Sequence, residues 1–158
     1  MKKVYFAQRM DGLSIDEVRA NYEKFKAALA AEDVSLINPA EHVFFCTQPA
    51  TTPKSEVARI VKHDLFLLRQ ADALLVDYSV EGWNYVGCTC EIAYAHLWGK
   101  PIVVFTGGSA NAERIWLRHL ATRICDTLDD TTLAVLNVLK LRDALNVNGE
   151  QKNGLVQK

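Results

Sequence analysis

Neither sign of charge is in excess: 18 Lys and Arg stand against 19 Asp and Glu, a formal net charge of −1. That balance excludes the basic field with which proteins track nucleic acid or an anionic membrane. Any phosphate is therefore expected to be held by local groups. No apolar run approaches the roughly 18 residues that span a bilayer. The start, Met1-Lys2-Lys3-Val4-Tyr5-Phe6-Ala7, has no long apolar stretch of the leader type and runs directly into a strand pattern. A cytoplasmic protein is expected, with neither a membrane nor a nucleic acid polymer as partner. The four cysteines, Cys46, Cys88, Cys90 and Cys125, form no CxxC pair and no Cys/His set of zinc spacing. Reduced and mostly buried thiols are expected, and neither a metal nor any other cofactor is called for.

What is present is an ordinary globular composition, 49% hydrophobic and 23% charged over 158 residues. One domain over residues 1–145 is expected, followed by a polar, aperiodic and loose tail over 146–158. Lys3 to Ala7 reads as a buried strand. Ser14-Ile-Asp-Glu17 is a capping box, after which Val18, Tyr22, Phe25 and Leu29 recur at helical spacing. Val34 to Ile37 is a second strand, stopped by Asn38-Pro39, and a polar loop through Cys46 and Pro49 follows. Thr52-Pro53 opens a helix with proline at its first position and an apolar stripe of Val57, Ile60, Val61, Leu65 and Leu68. Ala73 to Asp77 is a continuous apolar run that fits a central parallel strand. Gly87 to Trp98 then reads as a helix ended by Gly99, Pro101 to Thr106 as a strand, and Glu113 to Leu120 as a helix. Thr122 to Cys125 is the last strand, and Thr127-Leu-Asp-Asp130 caps a helix reaching about Leu141. Strands alternating with helices predict a doubly wound, Rossmann-like or flavodoxin-like sandwich: five parallel strands between layers of helices. Ligands of such sheets sit beyond the carboxyl ends of the strands. That nominates residues 7–12, 77–91 and 106–111 and the loop after Ile37.

The stretch from Asp77 to Ala95 carries the chemistry. A strand delivers the chain to a loop with Gly, Asn and aromatics, and the loop opens a helix with Glu91 placed, on this reading, in its first turn. A helix N-terminus favours the ionised carboxylate. Such a group can attack an anomeric carbon and form a covalent glycosyl-enzyme. Gly87 lets the backbone approach a ligand closely. Spacing alone leaves open that Glu91 merely decorates a helix end.

Gly87-x-Thr89-x-Glu91-Ile-Ala-Tyr-Ala95, followed by Gly99-Lys-Pro-Ile-Val, resembles the nucleoside 2-deoxyribosyltransferase family and its relatives, the nucleoside 5'-monophosphate N-glycosidases. Lys62-His63-Asp64 and Leu68-Arg-Gln-Ala-Asp-Ala-Leu-Leu-Val76 are similar to the family's helix with a functional Asp and the strand after it. Val4 to Ala7 is similar to its opening strand. The resemblance follows the order of elements over residues 3–130, with specific motifs over 60–105. It implies that Glu91 is the nucleophile, that Asp64 handles the proton at the base or orients the nucleophile, and that Tyr5 stands beside Glu91. Six residues before the nucleophile, the transferases carry an Asp for the sugar and the hydrolases a Ser for phosphate; this chain has Tyr85, with Asn84 beside it. The position that would separate the two activities is thus not readable. Arg9 is a candidate to pair with a 5'-phosphate, assisted by the helix amides near Cys88, and equally reads as a surface charge. Trp83 is a candidate for stacking on a base, with simple packing the alternative. His119 and Asn111 lie where relatives offer a residue to a neighbouring subunit's site, so the resemblance implies a homo-oligomer, with Trp98 and Trp116 on candidate interface helices.

The implied partner is a small-molecule nucleoside or nucleotide. The leading expectation is cleavage of its N-glycosidic bond through a covalent sugar on Glu91, with deoxyribosyl transfer between bases. Hydrolysis of a (deoxy)nucleoside 5'-monophosphate is the sibling reaction, and a non-catalytic nucleotide-binding sensor is the alternative of another class. A response regulator fits less well, because the first strand ends on Gln8-Arg9-Met10-Asp11 and not on an acidic cluster.

Overall fold

The computed structural model describes residues 1–30, 32–41 and 53–153, with side chains through Lys140. Five strands, β1 (Lys2–Ala7), β2 (Val34–Ile37), β3 (Ala73–Asp77), β4 (Ile102–Phe105) and β5 (Arg123–Cys125), form one sheet in the order β2-β1-β3-β4-β5. Every pairing is parallel, with Tyr5 opposite Leu74 and Asp77 opposite Phe105. Helices α1 (Ile15–Leu29), α2 (Lys54–Gln70), α3 (Val86–Leu97), α4 (Ile115–Leu120) and α5 (Leu128–Asn153) complete the doubly wound sandwich that the sequence predicts.

Side-chain alternation along the strands divides the interior in two. Val4 and Phe6 of β1, with Leu75, Val103 and Phe105, meet Tyr22, Phe25 and Leu29 of α1 and Val135, Val138 and Leu139 of α5. Tyr5 and Ala7 face the other way, with Leu74, Val76, Ile102 and Val104, into a core shared with Leu68 of α2, Cys88, Ile92 and Ala95 of α3 and Leu117 of α4. The strand period thus sends Tyr5 toward α2 and α3, a point that decides the chemistry below.

Local signals behave as their physics requires. The Ser14 hydroxyl accepts from the Glu17 amide at 3.2 Å while the Glu17 carboxylate accepts from the Ser14 amide at 2.7 Å. Thr127 accepts from the Asp130 amide at 3.1 Å ahead of α5. Three expectations change. Pro53 is the N-cap of α2 and not its first helical residue, with Thr52 and the loop through Cys46 and Pro49 outside the described residues. Val57 and Val61 are exposed, so only the C-terminal half of the α2 stripe, Leu65 and Leu68, reaches the core. And α5 continues to Asn153, past the end expected near Leu141 and through the first part of the stretch read as a tail; Leu141, Ala144 and Leu145 are good helix formers that propagate it.

The floor of the strand-end crevice is tied by one amide. Asn21 of α1 donates to Gln8 Oε1 at 2.8 Å and to Asp77 Oδ2 at 2.7 Å, bridging the ends of β1 and β3, while Gln8 itself donates to the Val18 carbonyl at 3.1 Å. Both acceptors are buried. Replacing Asn21 with Ala leaves them without that donor, and thermal or urea unfolding of N21A should show a loss of about 1–3 kcal/mol.

Candidate active site

Beyond the ends of β1 and β3, where the strand order reverses, lies a cleft of about 160 Å³. Its walls are the segment from Ala7 to Asp11, the turn Asn38-Pro39-Ala40 after β2, Asp64 of α2, and the β3–α3 segment through Trp83, Tyr85 and the first turns of α3 to Glu91. Tyr5 lies beneath it, fully buried. The Tyr5 hydroxyl donates to Glu91 Oε1, a contact across 86 positions of sequence. Asp64 completes a triangle of groups close enough that its charge acts on both of the others.

Burial dominates the electrostatics here. It pushes the Glu91 carboxyl up to about 7, opposed by the hydrogen bond from Tyr5 and helped by the Asp64 charge. Desolvation pushes Asp64 up to about 6. Tyr5 is driven far above the ordinary phenol range by burial and by the two carboxylates, so it is a permanent donor. Asp64 Oδ1 is buried with no hydrogen-bond partner among the described residues. A donor serves Glu91 and none of the described residues serves Asp64 Oδ1, so two unlike carboxyls, both raised by burial, share the site near neutrality. With the proton on Asp64, such a pair would be a nucleophile beside an acid.

This corrects one expectation about Glu91. It lies in the second turn of α3, since the first turn holds no acidic residue, and the helix dipole fades beyond the first turn. Its carboxyl is governed by burial, which raises it, and not by a dipole that would lower it.

The remaining predicted residues divide into those that line the cleft and those that do not. Arg9 does, with its guanidinium 4.4 Å above the Trp83 ring and its Nε buried without a partner among the described residues. Trp83 is therefore occupied by a cation as well as exposed to the cleft. Its ring lies 3.2 Å from where a β-carbon on Gly12 would stand, and Gly12 itself has φ +72°. Gly87 also lines the cleft, and a side chain there would enter space that no protein atom fills within 4 Å. Cys88 is buried and its thiol is pushed well above its usual range, so it packs and does not react.

Tyr85 is the N-cap of α3 in the left-handed region, φ 46° and ψ 38°. Its ring stacks on Tyr78 at 3.9 Å and its hydroxyl accepts from the Val80 amide at 2.9 Å. Asn84 is exposed and is not part of the lining. Asn111 is buried, with its amide committed inside its own chain: Nδ2 to the Tyr78 and Val80 carbonyls, Oδ1 to Arg114 Nε. Both Nδ2 hydrogens are therefore used within the chain, and Oδ1 accepts one bond there. His119 is exposed on α4 with its ring 5.8 Å from that of His96, outside the cleft.

Sequence reasoning nominated the segments after β1 and β2 without singling out Met10, Asp11, Asn38, Pro39 or Ala40, all of which line the cleft. No period or motif marks them; only the rule about strand ends does.

No protein-family model matches the chain, and no curated protein matches it. Solved structures do. A 2-deoxyribosyltransferase from Bacillus psychrosaccharolyticus superposes with a TM-score of 0.59 at 17% identity, over 82% of this chain and 90% of that one. A CMP N-glycosidase from Clostridium botulinum gives 0.51 at 13%, over 85% and 97%. A response regulator receiver domain from Clostridium thermocellum gives 0.55 at 11%, over 92% and 99%. At these identities the likeness is one of fold, shared between nucleoside chemistry and signalling. The first two are of the kind that the residues from Asp64 to Val103 resemble.

The sign of the Glu91 shift sets a stability test. The folded-state value lies above the ordinary carboxylate value of 4.5, so the folded state holds the proton more tightly. The resulting penalty is absent below pH 4.5 and fully developed above about 7. Glu91→Gln removes the titration and should raise stability at pH 8 by about 1–3 kcal/mol, roughly 3–10 °C in Tm, with little change at pH 5. Equal gains at both pH values would contradict the burial account.

Proposed function

We propose that this protein cleaves the N-glycosidic bond of a (deoxy)nucleoside or its 5'-monophosphate, with Glu91 as nucleophile, and passes the sugar to a second base. The observation that carries this reading is the desolvated pair of carboxylates, one served by Tyr5 and one not, at the strand-order switch of a sheet whose motifs resemble the deoxyribosyltransferases.

In the first step a Glu91 oxygen bonds to the anomeric carbon as the carbon–nitrogen bond breaks. The electron pair goes to the departing base nitrogen, which takes the proton from Asp64. Tyr5 keeps Glu91 oriented and ionised before attack. In the second step a nitrogen of an incoming base bonds to the anomeric carbon, the ester bond to Glu91 breaks, and the incoming base's proton returns to Asp64. Each carboxyl is restored.

One observation favours a second reading. Arg9 presents a buried Nε–H without a partner among the described residues, beside the first turn of α3, which none of the described side chains caps. A 5'-phosphate supplies the acceptor that such groups lack. On that reading water replaces the second base and sugar phosphate is released.

A homo-oligomer belongs to the proposal, because Leu97, Ile115 and Trp116 on α3 and α4 are 77%, 82% and 72% exposed. Sedimentation at assay concentration should find a dimer or larger species; a monomer alone would remove this part.

Wild-type protein incubated with a panel of nucleosides and monophosphates should release free base, measured by chromatography. With a second base present, exchange products support transfer, whereas sugar phosphate alone supports hydrolysis. Glu91→Gln should lose at least about a thousandfold in turnover. Full turnover by that variant, or tight nucleotide binding without base release by the wild type, would sink the proposal, the second outcome in favour of a sensor. The acid and base limbs belong to the pair, so kcat/KM should be bell-shaped with its maximum between about 6 and 7.

A further inference from the structure

The segment between β3 and α3 brings Trp83 and Tyr85 to the cleft, yet it is held by residues that do not line the cleft. Asn111, in the single 3-10 turn after β4, donates from Nδ2 to the Tyr78 carbonyl at 2.6 Å and to the Val80 carbonyl at 2.9 Å. Its own orientation is fixed by Arg114, whose Nε donates to Asn111 Oδ1 at 2.8 Å. Arg114 then reaches the Trp83 carbonyl with Nη2 at 3.3 Å, and its guanidinium stands 5.9 Å from the centre of the Tyr78 ring. Glu81 adds a fourth tie by accepting from the Ala110 amide at 2.7 Å. Three carbonyl anchors thus bind this segment to residues 110–114, which do not line the cleft.

Such anchoring is needed. Tyr85 is the one non-glycine residue among those described with a positive φ, a conformation that costs about 1–2 kcal/mol for an ordinary side chain. The Trp83 ring is wedged between the Arg9 guanidinium and Gly12, a contact that tolerates little displacement. A loop carrying a strained tyrosine and a wedged indole relaxes unless its backbone is held independently of those side chains.

We infer that Arg114 is a positioning residue. Acting with Asn111, it fixes the Trp83 backbone, and through the indole it fixes the Arg9 guanidinium that faces the substrate. Arg114 does not line the cleft; it borders a separate groove between α3 and α4 with Ile115 and Trp116. Its removal therefore loosens the binding wall and leaves Glu91, Asp64 and Tyr5 untouched. Affinity falls and chemistry does not. This rests on reading the cleft as the substrate site, but the geometric part is testable without any activity.

Tryptophan occurs at positions 83, 98 and 116 alone, so a Trp98→Phe/Trp116→Phe background isolates Trp83. In that background Arg114→Ala should shift Trp83 emission to the red and increase acrylamide quenching about twofold. Arg114→Lys, which keeps one donor, should recover part of both. In the otherwise unaltered chain, Arg114→Ala should raise KM about tenfold with kcat within about twofold and the pH limbs unmoved. Unchanged Trp83 emission and quenching in Arg114→Ala would overturn the inference. So would a fall in kcat at constant KM. A shifted emission together with no base release by the wild type supports the clamp and overturns the functional reading. If the alanine variant does not fold, Arg114→Gln and Arg114→Lys carry the same comparison, and identical Trp83 signals in both and in the parent overturn the inference.

Discussion

When the Tyr5 hydroxyl donates to Glu91, it joins the middle of β1 to the second turn of α3 across the point where the strand order reverses. The geometry behind it is elementary. The period of two along β1 turns Tyr5 toward α3, and the parallel pairing of β1 with β3 brings the helix that follows β3 over that strand. A carboxylate left in this core without a donor would simply stay protonated. With one strong donor it is poised near neutrality, beside an Asp64 that burial raises to about 6. The two carboxyls thus differ in support, since Tyr5 donates to one of them and none of the described residues donates to Asp64 Oδ1.

The same corner concentrates the features that local stability would remove: a desolvated carboxylate pair, a left-handed tyrosine and an arginine whose buried Nε has no partner among the described residues. Their joint cost is offset by the two apolar layers on either face of the sheet, where β1, β3 and β4 are buried almost continuously. The ties from Asn21, Asn111 and Arg114 hold the strained segment in place. Strain gathered at a strand-end crevice and opposed by rigid surroundings is a common property of binding and catalytic sites. Here the rigid surroundings come from both neighbours of β3.

How much of this was legible in the sequence depends on range. The strands, the Ser14 capping box, the Thr127 cap and the stop at Gly99 were readable because each is written within a few neighbouring residues. Glu91, Asp64 and Tyr5 were readable through motif resemblance, and the structure brings all three together. The electrostatic state of Glu91 was not, since burial depends on packing from three elements and outweighs a helix-end argument. Asn111 is instructive in the same way. Its position drew attention, but only the fold reveals that both ends of its amide are used within its own chain. Nor does any local signal pair Arg9 with Trp83, which are brought together by the β1–β3 adjacency.

The claim on which everything else rests is that Glu91 becomes bonded to the sugar. A nucleoside carrying fluorine at the 2-position of the sugar slows the second step, because the electronegative substituent destabilises an oxocarbenium-like transition state. Wild-type protein incubated with it, quenched in acid and examined by mass spectrometry should gain the mass of one fluorinated sugar on the peptide containing Glu91. The same treatment of Glu91→Gln should give no adduct. Release of base at normal rates with no adduct, or an adduct on any other residue, would contradict the account.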